Sequence, residues 1–176
     1  MGVKTKIVLD ADVILHFIKG GQFSLLLDIF PEYDYLMLDV VYEEVTVNRH
    51  TKTQIDNTLN FMSSRLSCIK FDPKGESRLE YARLRSNLLL GKGESACMVY
   101  CRDNHDVLGS SNLKDIRNYC CENQITYLTT VDFLYYAFIR KKMTKSDVHD
   151  FIERMVATGS KLPSVDIECY VPTSQI

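Results

Sequence analysis

Four short stretches place carboxylates or hydroxyls where a strand ends or a helix begins: Asp10-Ala11-Asp12, Glu43-Glu44, Glu94, and Ser110-Ser111-Asn112 with Asp115. Each has a plain structural reading. Asp12 suits a helix cap behind a strand that ends at Asp10. Glu94 falls where a helix macrodipole favours an anion. Asn112, with Asp115 three residues on, imitates a capping box with Asp in place of Glu. Gathered in one pocket, the same groups would repel one another and raise one another's pKa, and a bound cation reverses that logic. Carboxylates are hard oxygen donors of the kind Mg²⁺ and Mn²⁺ prefer. The chemistry on offer is that of a divalent cation.

The surrounding elements must bring the four stretches together. Ile7-Val8-Leu9 reads as a buried strand, Ile7–Asp10, of a parallel sheet, and a helix from Val13 to Lys19 stops at Gly20-Gly21. Helical spacing of Phe23, Leu26, Leu27 and Phe30 ends at Pro31. Tyr35–Leu38 is the second strand, followed by a helix over Val40, Val41 and Val45 that carries Glu43 and Glu44. Asn48 to Thr53 is a polar, basic exposed connection, and Ile55, Leu59 and Met62 restore a helical stripe. Cys68–Phe71 is a third strand. A charged helix runs from Glu76 to Leu90 and is broken by Gly91-Lys92-Gly93. These glycines let the chain turn sharply into the helix Glu94–Arg102, whose small Ser95 and Ala96 let it approach the sheet. Val107–Gly109 and Ile125–Leu128 are the last core strands, separated by a helix over Leu113–Cys121. Helices at Val131–Arg140 and from Thr144 to about Ala157 follow, then a tail with room for one edge strand. Alternating strands and helices predict an α/β fold, three-layer α/β/α, with a central, mainly parallel sheet. In open sheets of this kind, ligands sit outside the carboxyl ends of the strands.

The bulk composition is that of a soluble protein, with 176 residues, 45% hydrophobic and 25% charged, suited to one domain. A formal net charge of −2 gives no global pull toward nucleic acid or anionic lipid. Nucleic acid would need a local basic patch or a metal. No run approaches the roughly 18 uninterrupted apolar residues of a membrane span. The six cysteines form no CxxC pair, which argues against zinc and for reduced, mostly buried thiols in a cytoplasm.

Taken in order, the four stretches resemble the PIN domain, the metal-dependent nuclease fold of toxin–antitoxin toxins and RNA-processing endonucleases. Asp10-Ala11-Asp12 matches its opening motif, and Val40-Val41-Tyr42-Glu43-Glu44-Val45 matches the second, with register favouring Glu44 and leaving Glu43 to solvent. Gly91-Lys92-Gly93-Glu94-Ser95-Ala96 is the sharpest local match. Ser110-Ser111-Asn112-Leu113-Lys114-Asp115 is the fourth, with Asn112 where many members carry Asp. The resemblance runs from about Lys6 to Arg140. It implies a PIN-like nuclease domain over 1–143, with a C-terminal helix and tail over 144–176 packed on it.

The resemblance further implies a cytoplasmic, divalent-metal-dependent endoribonuclease using Mg²⁺ or Mn²⁺, with Asp10, Glu44, Glu94 and Asp115 as catalytic residues. Asp10, Glu94 and Asp115 would hold metal. Asp12 and Asn112 would orient ligands or water, the Ser110 hydroxyl would hold a phosphate or a carboxylate, and Arg49 and Lys92 would meet phosphates. RNA is the implied substrate. An antitoxin protein and a second copy of the chain are the partners it allows, and no membrane is involved. Two other readings stand beside this one. Asn112 suits a PIN-like interaction module with little or no activity. Leu9-Asp10-Ala11-Asp12 and Leu108-Gly109-Ser110-Ser111 also imitate motifs of a haloacid-dehalogenase-type phosphatase, which needs a downstream Lys that Lys114 supplies too early.

Overall fold

A computed structural model describes residues 5–176. Its order is β1 (Lys6–Leu9), α1 (Ala11–Lys19), α2 (Phe23–Ile29), β2 (Asp34–Leu38), α3 (Asp39–Val45), α4 (Arg49–Phe61) and β3 (Leu66–Ile69), then α5 (Glu76–Asn87), α6 (Lys92–Asn104), β4 (Val107–Gly109), α7 (Leu113–Glu122), β5 (Tyr127–Leu128), α8 (Thr130–Ile139) and α9 (Lys145–Ala157). The five strands form one sheet in the order β3-β2-β1-β4-β5, parallel at every pairing. The expected α/β architecture is the observed one.

The apolar run Ile7-Val8-Leu9 is fully buried because β1 is the central strand. Val8 pairs with Leu36 on one side and Leu108 on the other. Right-handed crossovers put α1 to α4 on one face and α5 to α7 on the other, while α8 and α9 join the first face against α2 and α1. The chain reverses its direction of travel across the sheet between β1 and β4, which makes their carboxyl ends the topological switch point. Asp10 and Ser110 follow those two strands directly.

Several local expectations shift. Asp10 is not the last strand residue but the N-cap of α1, its side chain accepting from Ala11 N at 2.8 Å, and Asp12 lies in the first turn instead of capping it. Asn48 to Thr53 is not an irregular connection: the Asn48 side chain accepts from the amides of His50 and Thr51, and α4 starts at once. The third strand lies two residues earlier than Cys68–Phe71, in the register that buries Leu66 against Tyr35. Ile125 is not in β5, because its amide still bonds Cys120 O at the end of α7. The charged helix closes at Asn87, not Leu90, and Gly93 lies inside the first turn of α6. Among the described residues the tail adds no edge strand. Three of the six free cysteines, Cys97, Cys101 and Cys120, are buried and the others exposed.

The C-terminal segment packs onto the sheet-bearing part. Phe151 of α9 meets Phe17 of α1 with ring centroids 5.1 Å apart. Asp132, fully buried, receives Thr129 N at 2.7 Å, Tyr170 OH at 2.9 Å and Thr173 N at 2.7 Å, which ties the tail to α8. No helix among the described residues is long and apolar enough to cross a membrane.

Candidate metal centre

At the switch point is a cavity of about 250 Å³. Its walls bring together Asp10 and Asp12 from the start of α1, Glu44 from α3, Glu94 from α6, and Asn112 and Asp115 from the start of α7. These residues are as much as 105 positions apart in sequence. Ser110, fully buried behind them, donates its hydroxyl to Asp10 Oδ2 at 3.1 Å. Lys92 is exposed beside the wall residue Gly91. Arg49, exposed at the start of α4, is not among the wall residues.

Gly93 explains how α3 and α6 come close enough. A Cβ there would stand 2.8 Å from Glu44 Oε2, 3.1 Å from Val41 Cγ2 and 3.6 Å from Asp10 Oδ1. A side chain would therefore fill the space that the two carboxylates face. Glu43 and Glu44 are both exposed, but Glu44 is the one on the cavity wall.

The electrostatics are those of acids held together without compensation. Asp10 is 5% exposed. Burial, then the Asp12 charge and, more weakly, that of Glu94, push its pKa up to about 8, against the Ala11 amide and Ser110 hydroxyl that favour the anion. Burial raises Asp12 to about 6, opposed by the amides of Ser111, Val13 and Asn112. Glu94 is raised to about 7 by burial and then by Asp115, opposed by the Asn112 side chain. Asn112 Nδ2 also donates to Asp115 Oδ2 at 2.7 Å. The expected capping box is absent, since Asn112 makes no side-chain cap bond. Its amide instead stands between two carboxylates. Among the described residues no Lys or Arg forms an ion pair with these acids.

Such a set fits a hard divalent cation: the donors are all oxygens, and Asp10, Asp12 and Glu94 are disfavoured as anions until a positive charge arrives. Three ligand atoms all within 4.8 Å of one another occur, among the described residues, at the exposed His149, Asp150 and Glu153 of α9 and not at the cavity. Among the described residues no lysine lines the cavity, whereas a haloacid-dehalogenase-type phosphatase requires one.

Two residues bonded behind the cavity, Thr130 to Ser111 and His16 to Thr130, were not singled out as site candidates in the sequence. His16 lies four residues after Asp12, one helical turn along the same face, and that spacing was the available signal.

A parallel sheet whose order reverses beside β1, with acids gathered at its carboxyl edge, defines an open α/β fold with its polar cavity at the switch point. No protein-family model matches the chain, and no curated protein matches it. Among solved structures it is similar to VapBC2 from Rickettsia felis, crystallised bound to a DNA fragment from their promoter, with TM-score 0.53 and 16% identity, covering 71% of this chain and 98% of that one. FitAcB from Neisseria gonorrhoeae is matched at TM-score 0.41 and 14% identity over 69% and 95% of the two chains. The likeness to VapBC2 is one of fold.

Proposed function

We infer that the chain is a divalent-metal-dependent endoribonuclease of PIN type that hydrolyses phosphodiester bonds. The observation that carries this reading is the pair of buried acids at the switch point, Asp10 and Glu94, raised to about 8 and about 7 where they face other carboxylates. A protein that only needed caps would not bury carboxylates against each other. Mg²⁺ or Mn²⁺, when bound, supplies charge neutralisation on the phosphoryl group and acidifies a water.

The chain's own residues do the rest. Asp10, Glu94 and Asp115 hold the cation from three different elements. Glu44, more exposed than Asp10 or Glu94, orients water at the open side. Asp12 and Asn112 fix the carboxylates beside them, and Ser110 holds Asp10 in place. Lys92, and Arg49 further off, offer phosphate contacts that add affinity but little sequence information. The fold likeness to VapBC2, a toxin–antitoxin complex, supports a toxin role with an antitoxin partner.

The test is cleavage of single-stranded and structured RNA in Mn²⁺ or Mg²⁺. EDTA, Asp10→Asn and Glu94→Gln should each abolish it without unfolding the chain. Wild-type cutting in either variant would trace the activity to another nuclease. Asn112 favours a second reading, a PIN-like interaction module with little activity, because its amide takes the place of a further carboxylate. Mn²⁺ binding with no cleavage of any RNA would select that reading.

A further inference from the structure

Behind the acidic cavity, hydrogen bonds close a cycle through three segments of chain. Ser111 N donates to Asp12 Oδ2 at 2.7 Å. The Ser111 hydroxyl donates to Thr130 Oγ1 at 2.8 Å and accepts from Thr130 N at 2.8 Å. Thr130 Oγ1 lies 2.8 Å from His16 Nδ1. Asp12 and His16 are a turn apart on α1, so the helix itself completes the cycle.

Ser111 N and Thr130 N are fixed as donors, and the tautomer of His16 with its proton on Nε2 completes the cycle. With Ser111 donating to it, the Thr130 hydroxyl has its own proton left for His16 Nδ1, which accepts as a neutral ring. Burial, then the nearby Lys19 charge, lowers the His16 pKa to about 4, so the ring stays neutral at physiological pH. Thr130 is fully buried and His16 half-buried. Neither lines the cavity.

The cycle joins the two halves of the site. Asp10 and Asp12 belong to the β1–α1 junction, whereas Ser110, Asn112 and Asp115 belong to the β4–α7 junction. Strand pairing fixes these junctions only as far as Leu9 and Gly109. Beyond that, Asp10 N on Gly109 O and the Ser110 hydroxyl on Asp10 Oδ2 tie the junctions at their base, and the cycle adds a further tie, from Asp12 to the Ser111 turn. We propose that His16 and Thr130 are positioning residues for the metal centre, holding the Ser111–Asp115 turn at a fixed distance from Asp10 and Asp12. This rests on the metal-centre reading of the cavity. Groups that orient ligands through a neighbour commonly change metal affinity or activity by about 10–100-fold when removed.

The experiment uses Thr130→Val, which keeps shape and removes the hydroxyl, and Thr130→Ser, which restores it. His16→Leu cuts the cycle at its other end. Two quantities are measured on the full chain: amide hydrogen exchange of Ser111 and Asn112 in EDTA, and Mn²⁺ affinity by titration calorimetry. Thr130→Val and His16→Leu should speed exchange at those amides at least about tenfold and weaken Mn²⁺ about 10–100-fold, with Thr130→Ser close to wild type. In an Asp115→Asn background, Thr130→Val should weaken Mn²⁺ much less, since its effect travels through that turn. A merely structural role would lower affinity equally in both backgrounds, and that result overturns the inference. Unchanged exchange at Ser111 and Asn112 overturns it without reference to metal. If wild type binds no Mn²⁺ while exchange still responds, the metal-centre reading falls, and the cycle is a loop clamp without a positioning role.

Discussion

Asp10→Asn separates a metal centre from a set of helix caps. Asparagine keeps the shape and still offers an oxygen to Ala11 N, so the α1 cap survives. What it removes is a carboxyl whose pKa rises from 3.8 to about 8 on folding. An acid raised in this way keeps its proton in the folded chain while the unfolded chain has lost it. Its stabilising effect is therefore complete below the ordinary value and is lost as pH rises toward 8. Two pH units inside that window amount to ~2.7 kcal/mol. In EDTA, wild type should melt roughly 5–10 °C lower at pH 7 than at pH 5 from this group alone. Asp10→Asn should show a much flatter profile, its remaining slope coming from Asp12 and Glu94, and should be the more stable of the two at pH 7. Thermal melts of both proteins across that range decide the matter. Parallel curves would mean that Asp10 is ionised in the folded metal-free protein, and the account of the cavity as uncompensated buried acids would be wrong.

Other outcomes follow from the same geometry. Mn²⁺ at ten times its dissociation constant should stabilise wild type by about 1.4 kcal/mol, and Asp10→Asn by little of that; a response that persists in Asp10→Asn, Glu94→Gln and Asp115→Asn alike would place the ion elsewhere. Gly93→Ala pushes first on the mobile end of Glu44 and gains helix propensity, so its melting point should move by only about 1 kcal/mol in equivalent stability, while calorimetry should show weaker Mn²⁺ binding. Gly20→Ala would put a methyl 2.2 Å from the Phe151 ring, and denaturant unfolding should show a loss of about 1–3 kcal/mol as α9 is displaced. Asp132→Ala leaves the Thr129, Tyr170 and Thr173 donors without their carboxylate, and limited proteolysis should then cut the C-terminal tail faster than in wild type.

The sequence by itself determined the α/β class and the positions of the acids along it. Ile7-Val8-Leu9 is apolar on both sides because both faces of a central parallel strand are covered, and that is visible as an unbroken run. The glycines before Glu94 and the polar residues after Val107–Gly109 are local signals, and each fell beside the cavity. Element ends were legible only where one residue type decides them. Asn48 overruled the polar look of Arg49 to Thr53 through its cap, and Leu66 overruled Cys68–Phe71 through its register against Tyr35.

Tertiary structure alone decided which polar groups meet. The pairing of β1 with β4 brings Asp10 to Ser110, one hundred residues away, and no local pattern encodes that. The closed fold also raises Asp10 and Glu94, because desolvation and like-charge repulsion depend on distance through space. It also turned Asn112 from a helix cap into a bridge between Glu94 and Asp115, and gave Ser111 a partner in Thr130, which in turn meets His16. Side-chain types and their order are written in one dimension, whereas burial and the spacing of charges exist only once the sheet has closed around them.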